Sequence, residues 1–399
     1  MTAGRHSGNA PLAGVRVLEL ARILAGPWIG QLMADLGADV VKVEAPEGDD
    51  TRSWGPPFVE AAEGGNLSAA YFHSCNRGKR SVTADFRTED GRACVLKLAA
   101  HADVVVENFK VGGLAKYGLD AASLRAAFPR LVYASITGFG QTGPYADRAG
   151  YDFLIQGMAG PMSITGQPDG QPTKAGYATA DIFTGMYATV GILSALRRRD
   201  QTGEGATLDL ALMDTQIAVL ANQAMNYFVS GKAPGRMGNA HPNIVPYEVF
   251  PVSDGHIIIA SGNDGQWRKL CDVLGSPELA GHPDYLANKD RVANRATLVP
   301  HLGTLTVRFA KADILARLEA AGVPAGPINT TDEVFADEQV KARGVRRDLS
   351  APAAKAGHIP TVASPIVIDG IRQVSARHSP GLGEHTADVL NDPNWGGQP

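Results

Sequence analysis

Residues 15–44 read VRVLELARILAGPWIGQLMADLGADVVKVE, and the fold is decided there. The two ends, VRVLEL at 15–20 and DVVKVE at 39–44, are short β-branched and Leu-rich runs of strand type, the first placed just after Pro11 and Gly14. Between them a loop with Gly26 and Pro27 leads into a helical segment over 28–36 that Gly37 closes. Strand, helix, strand is a βαβ unit, the start of a parallel α/β sheet. The alternation continues with strand-type runs at 82–86, 103–107 (DVVVE), 131–136 (LVYASI) and 206–212, and a helix at 91–100. A doubly wound, Rossmann-like α/β domain is expected. No G-x-G-x-x-G follows the first strand, so no dinucleotide site is inferred; a looser nucleotide site at the strand ends suits the fold.

The 399 residues are 44% apolar and 20% charged with a net charge of -4, ordinary values for a globular chain with a large core. Nothing in that balance favours nucleic acid or an anionic membrane as a partner. The apolar run 185–196 is shorter than a membrane span and runs straight into Arg197, Arg198 and Arg199. The opening residues MTAGRHSGNAPLAG lack the apolar core of a secretory signal, so the chain is expected in the cytoplasm. Cys75, Cys94 and Cys271 have neither metal-ligand spacing nor the number for a disulfide framework, so reduced thiols and no metal are expected.

Composition shifts after Ser230. Residues 232–243 are rich in Gly, Pro, Arg and Asn, a hairpin follows over 247–251 and 256–260 around Asp254-Gly255, and helices fill 266–321. The expected division is 1–229 as the N-terminal part of the large domain, 230–325 as a small α+β domain with its linker, and 326–399 as a C-terminal part returning to the large domain. A single helix is read over 214–229.

Candidate chemistry centres on 176–196, GYATADIFTGMYATVGILSAL. Its one carboxylate, Asp181, precedes an apolar run in which Ile182, Phe183, Met186, Tyr187, Val190 and Leu193 leave little polar circumference, so a buried helix is expected. Arg197, Arg198 and Arg199 suit the negative end of its dipole, and its N-terminus favours an ionised Asp181. Asp181 is either a helix cap or a functional carboxylate; Thr184 stands where a capping box needs Glu or Gln. Three loops could hold an anion or ligand: 46–57 with Arg52, 76–81 (NRGKRS) around Gly78, and the Gly-rich 137–144 (TGFGQTGP). Each also reads as a solvated turn.

Taken together, ARILAGP, GADVVKVE, GDDTRSWGPPF, NRGKRSV, DVVVENF, SITGFGQTGP, RAGYD, ADIFTGMYA, NIVPYEVF, GVPAGPIN and LGEHT resemble, in order and over nearly the whole chain, the family III (CaiB/BaiF-like) CoA-transferases. The similarity is nearest to the branch that includes succinate–hydroxymethylglutarate CoA-transferase. It implies a homodimer of interlocked chains, coenzyme A as co-substrate, no permanently bound cofactor, and Asp181 as the catalytic carboxylate that becomes an aspartyl-CoA thioester. By position it carries CoA contacts onto Leu24, Ala25, Ala45, Cys75, Asn76, Arg77, Gly78, Lys79, Asn108, Lys110, Thr137, Gly138, Phe139 and Gly140. Two departures touch the phosphate grip. Ala45 and Pro46 stand where a basic residue often follows the second strand, and Lys110 stands where an Arg is common. Arg22, Arg52, Arg77, Lys79 and Arg80 are the candidate substitutes.

Substrate contacts are expected from Arg22, Arg52, Tyr151 and His241, and oxyanion donors from Gly262 and Gly265 of SGNDGQW. The implied reaction moves CoA from succinyl-CoA to a free dicarboxylate, with formyl-CoA/oxalate exchange as the alternative. An α-methylacyl-CoA racemase needs an Asp–His pair, and Tyr151 stands at the His position. A CoA-binding protein without catalysis is the rival of another class.

Overall fold

In the computed structural model, which describes residues 10–397, the opening unit is β1 (Arg16–Glu19), α1 (Ala25–Asp35) and β2 (Asp39–Glu44). Four more strands join it: β3 (Arg80–Thr83), β4 (Val104–Glu107), β5 (Val132–Thr137) and β6 (Ala206–Ala211). They form a 6-stranded parallel sheet in the order β3-β2-β1-β4-β5-β6. That is the doubly wound order, with the chain reversing direction across the sheet between β1 and β4. Alternating side chains feed both faces: Val17, Val40, Val104 and Val106 on one, Leu18, Val41, Val43 and Val105 on the other. The second face is covered by α2 (Glu89–Ala99) and by Val389 and Trp395 near the C-terminus. The first is covered by α1, α3 (Asp152–Met158) and α4 (Thr179–Thr202), with α5 (Leu212–Ala218) following β6.

Helix α4 differs from expectation in length and in orientation. It runs for 24 residues, long and apolar enough by composition to cross a membrane, so length alone does not exclude a span. It packs on α1 and the sheet through small residues, Ala180, Thr184, Gly185 and Ala188, then through Ile192 and Leu196. A Cβ on Gly185 would lie 3.0 Å from the Ala25 carbonyl oxygen and 3.0 Å from the Trp28 ring, so the closeness of α1 demands a small face. The large apolar residues therefore point outward, Tyr187 being 50% and Val190 60% exposed. The helix expected over 214–229 is broken instead into α5 and α6 (Asn222–Ser230), with Ala221 at φ +47° between them.

The chain divides into two units. One holds the sheet and takes residues up to Pro161, Ala175–Gly231, and the chain from Glu338 onward. The other takes Met162–Lys174 and Lys232–Asp337, so it gains a short upstream segment and extends past the boundary expected at 325. In that second unit β7 (Tyr247–Val252) and β8 (Gly255–Ala260) form the expected hairpin, and β9 (Ala325–Pro327) pairs with β8. Helices α7 (Asp264–Val273), α8 (Arg295–Thr306) and α9 (Lys311–Ala321) close a core that includes Phe250, Trp267, Leu270, Leu302 and Leu318.

Candidate active site

The chain leaving β1 makes a turn that needs outside support. Ile23 has φ +73°, a conformation that a β-branched residue adopts at a cost of about 1–3 kcal/mol. Both sides of it are pinned. Asn108, just past β4, accepts from the Arg22 amide at 2.9 Å and donates to the Arg22 carbonyl at 2.7 Å. Asp49 accepts from the Ile23 amide at 3.2 Å. With the turn fixed, α1 starts at Ala25 after Leu24. A second close approach lies past β5: a Cβ on Gly138 would stand 2.5 Å from the Gly150 Cα, and one on Gly150 would stand 2.4 Å from the Gly138 Cα. The two backbones cross in contact, and this draws the 146–151 loop over the end of β5.

These loops enclose a cavity of about 430 Å³ at the carboxyl ends of β1, β4 and β5, where doubly wound sheets take their ligands. Its wall includes Arg22, Leu24, Ala25, Asn108, Lys110, Thr137, Gly138, Arg148, Tyr151 and Asp181. Asp181 is the third residue of α4 and does not cap it; Ala178 stands at the cap position. Asp152 provides the cap, accepting from the Ala180 amide at 2.7 Å while its other oxygen takes the Gln156 amide at 2.7 Å. Among the described residues the Asp181 carboxyl has no hydrogen-bond or ion-pair partner. Burial, and then the charge of Asp152, push its pKa up to about 7. Desolvation and like charge thus outweigh the helix terminus that was expected to keep it ionised.

A neighbouring cavity of about 310 Å³ lies across the ends of β1 to β4 and shares Arg22, Phe109 and Gly113 with the first. It is lined with aromatic edges: Phe86 stands edge-on to Phe109 at 5.6 Å and to Tyr117 at 5.3 Å. Arg22 lies over Phe109 at 5.6 Å and Lys116 over Tyr117 at 4.8 Å, while Arg87 and Ala45 complete the wall. Glu107, at the end of β4, lines a third cavity together with Lys110. It accepts from the Phe109 amide at 2.8 Å and from the Ser135 hydroxyl, and burial pushes it up to about 7.

Of the basic residues expected to hold phosphate, Arg22 lines the first two of these cavities, whereas Arg52, Arg77, Lys79 and Arg80 are committed elsewhere. Arg52 makes a two-pronged pair with Glu44 at 2.7 Å, and Arg77 one with Asp35. Arg80 joins Asp39 and Asp392, and Lys79, fully buried, bonds Glu19 at 2.8 Å and Asn76 at 2.8 Å. Cys75 and Asn76 are fully buried, and burial pushes the Cys75 thiol up to about 12. Gly78 closes a turn at φ +86° against Ser375. Arg52, Arg77, Lys79, Arg80, Cys75, Asn76 and Gly78 line neither of the first two cavities, nor do Phe139, which packs on Tyr145, and Gly140, whose amide bonds Thr137. His241, Gly262 and Gly265 lie in the second unit: His241 rests against Tyr247, and the Gly262 amide bonds Gln266. Sequence reasoning passed over Arg148, Asp152, Glu107 and the strained Ile23; RAGYD, opposite TGFG, was the signal for the first two. Among the described residues no cluster of His, Cys, Asp and Glu could hold a metal ion.

The family described as CoA-transferase family III matches residues 12–386. The chain belongs to CoA-transferase family III. The transferase is 58% identical over 381 residues, 95% of each chain, to a protein of Agrobacterium fabrum named succinate–glutarate CoA-transferase. It is 40% identical over 96% of its length to succinyl-CoA:mesaconate CoA-transferase of Haloarcula hispanica, covering 97% of that protein. A solved structure of a CaiB/BaiF family protein from Brucella suis is 58% identical, with a TM-score of 0.84 over 96% of this chain and 98% of that one. The transferase is thus an enzyme whose co-substrate is a CoA thioester, and it shares the mixed α/β fold of that structure.

Proposed function

We propose that the transferase moves CoA from succinyl-CoA to a free dicarboxylic acid through a thioester on Asp181. One observation carries this reading: a carboxyl without a partner, on the wall of the cavity at the sheet's reversal point. The acids in the relatives' names, glutarate and mesaconate, are dicarboxylates and support the substrate class. An Asp181 oxygen attacks the thioester carbonyl and the C–S bond breaks, giving a mixed anhydride and CoA thiolate. The thiolate then attacks the Asp181 carbonyl carbon, the anhydride C–O bond breaks, and succinate leaves as the free carboxylate. The incoming acid runs the same steps backward. No proton is consumed, and the energy of the thioester is kept so long as water stays out.

For CoA, the aromatic cavity suits the adenine, with Lys116 near its phosphates beside Arg22 and Arg87, whose exposed pairs with Asp50 and Asp85 cost little to exchange, and the pantetheine arm passing Arg22 and Phe109 to Asp181. This replaces the NRGKRS cluster as the phosphate grip. A racemase needs a second acid–base group beside the α-carbon, and the Asp181 cavity offers only Tyr151, Arg22, Lys110 and Arg148 as further titratable side chains. Asp181→Ala should lower isotope exchange between labelled succinate and succinyl-CoA by about 10⁴-fold or more. Wild type incubated with succinyl-CoA should carry CoA on the peptide containing Asp181, read by mass spectrometry. Undiminished exchange in the variant ends this reading.

The assembly we read as a homodimer with interlocked chains. Helix α3 packs beside α4, and Phe183, Met186, Tyr187 and Val190 of α4 and Phe153, Leu154 and Met158 of α3 are all exposed. Large apolar residues left exposed on two packed helices mark an interface, and a second copy supplies the matching surface. Val190→Asp should shift the mass in light scattering from dimer to monomer or aggregate; a monomeric wild type defeats the reading. Three unpaired thiols suit a reducing compartment, and we place the enzyme in the cytoplasm.

A further inference from the structure

We infer that Arg148 binds the far carboxylate of the acid being exchanged and so selects dicarboxylic over monocarboxylic acids. The inference rests on the transfer reading above and adds to it the residue that sets specificity. The cations on the wall of the Asp181 cavity are Arg22, Lys110 and Arg148. Arg22 is already paired with Asp50 at 3.1 Å and covers Phe109. Lys110 stands between this cavity and the one holding Glu107. The Arg148 backbone amide bonds the Tyr145 carbonyl at 2.9 Å, but its guanidinium has no carboxylate, carbonyl or hydroxyl partner among the described residues.

Its guanidinium has an aromatic neighbour instead. It lies 4.1 Å over the ring of Tyr145, and Tyr145 stands edge-on to Phe139 at 5.5 Å. A cation–π contact uses no hydrogen-bond acceptor, so the guanidinium N–H groups stay available for a two-pronged pair with a carboxylate. Two residues on, Gly150 is locked against Gly138, and two further on, Asp152 bonds the first turn of α4 that carries Asp181. The cation and the nucleophile are thus set on one rigid frame. A dicarboxylate entering this cavity brings a second charge that must be paired, and Arg148 can grip it with two parallel N–H groups, which the Lys110 ammonium cannot. Arg148 is absent from the aromatic cavity, which favours a carboxylate over a CoA phosphate as its anion.

The test compares exchange of labelled glutarate with glutaryl-CoA and of pentanoate with pentanoyl-CoA, acids of equal length that differ in one carboxylate. Arg148→Met should lower kcat/KM for glutarate by about 100-fold or more and move pentanoate by about threefold or less, with Arg148→Lys between them. The Kd for free CoA and the melting temperature should stay at wild-type values. Should wild type not turn over pentanoate, the glutarate KM against the Kd for free CoA decides. An unchanged glutarate KM, an equal fall for both acids, or a CoA Kd weakened in step with the glutarate KM overturns the inference. Loss of CoA labelling at Asp181 in wild type would overturn the transfer reading instead, so the two failures are distinct.

Discussion

Glu19 and Asp181 are carboxylates of one unit with opposite surroundings. Glu19 is fully buried and shared between two buried ammonium groups, Lys42 at 3.1 Å and Lys79 at 2.8 Å. Room for it is made by Gly30, where a Cβ would stand 1.9 Å from its oxygen. Asp181 has no partner among the described residues and is pushed toward the neutral form. Under β1, β2 and β3 the charges are matched and serve the scaffold: Glu44 with Arg52, Asp35 with Arg77, Asp39 with Arg80. At the mouth beyond β4 and β5, Asp181 and Arg148 are left open. A charge already paired is costly to recruit for a ligand, whereas an unpaired one is stabilised when a ligand arrives.

Breaking the matched side should have the larger effect on folding. Glu19→Gln leaves Lys79 without a carboxylate and Lys42 with Asp49 alone, and should cost about 3–5 kcal/mol in urea unfolding. A loss below about 1 kcal/mol removes the distinction between the two regions. Neutralising Asp181 should not destabilise the fold at all, which is the sharper half of the comparison.

The matched region was also the part hardest to read in the sequence. The first βαβ unit was legible because Val and Leu alternate between sheet faces and Gly37 ends the helix. Asp181 stood out through its motif, and the fold puts it on the cavity wall. The basic run 76–81 looked available because its partners lie far upstream: Glu19, Asp35 and Asp39 meet Lys79, Arg77 and Arg80 only once the parallel strands are laid side by side. The orientation of α4 was hidden for a related reason. An apolar helix with few polar residues does not reveal that its close neighbour requires the Ala/Gly side, leaving Phe183, Met186, Tyr187 and Val190 outward. RAGYD marks the segment of Arg148 but not its role, which follows from the Tyr145 contact and from the Gly138–Gly150 crossing, a contact between separate loops.

The smallest expected effect follows from the proton on Asp181. Its folded pKa, about 7, lies above the ordinary aspartate value of 3.8, so the folded state binds the proton more tightly than the unfolded chain does. Stability therefore falls as pH rises between these values, and the full penalty is present above about pH 7. Asparagine cannot titrate, so Asp181→Asn should be more stable than wild type by roughly 1–2 kcal/mol at pH 8, and the gap should close below about pH 4. The shift alone gives a larger figure, but the carboxyl faces a cavity that water can enter. The same titration governs the reaction with opposite sign: the attacking form is the carboxylate, so kcat/KM should fall about tenfold per pH unit below about pH 7. Glu107 titrates in the same range and must be separated from it. If Glu107→Gln shifts the acid limb of the wild-type profile, or if Asp181→Asn melts like wild type at pH 8, the contrast between a satisfied and an open carboxylate does not hold.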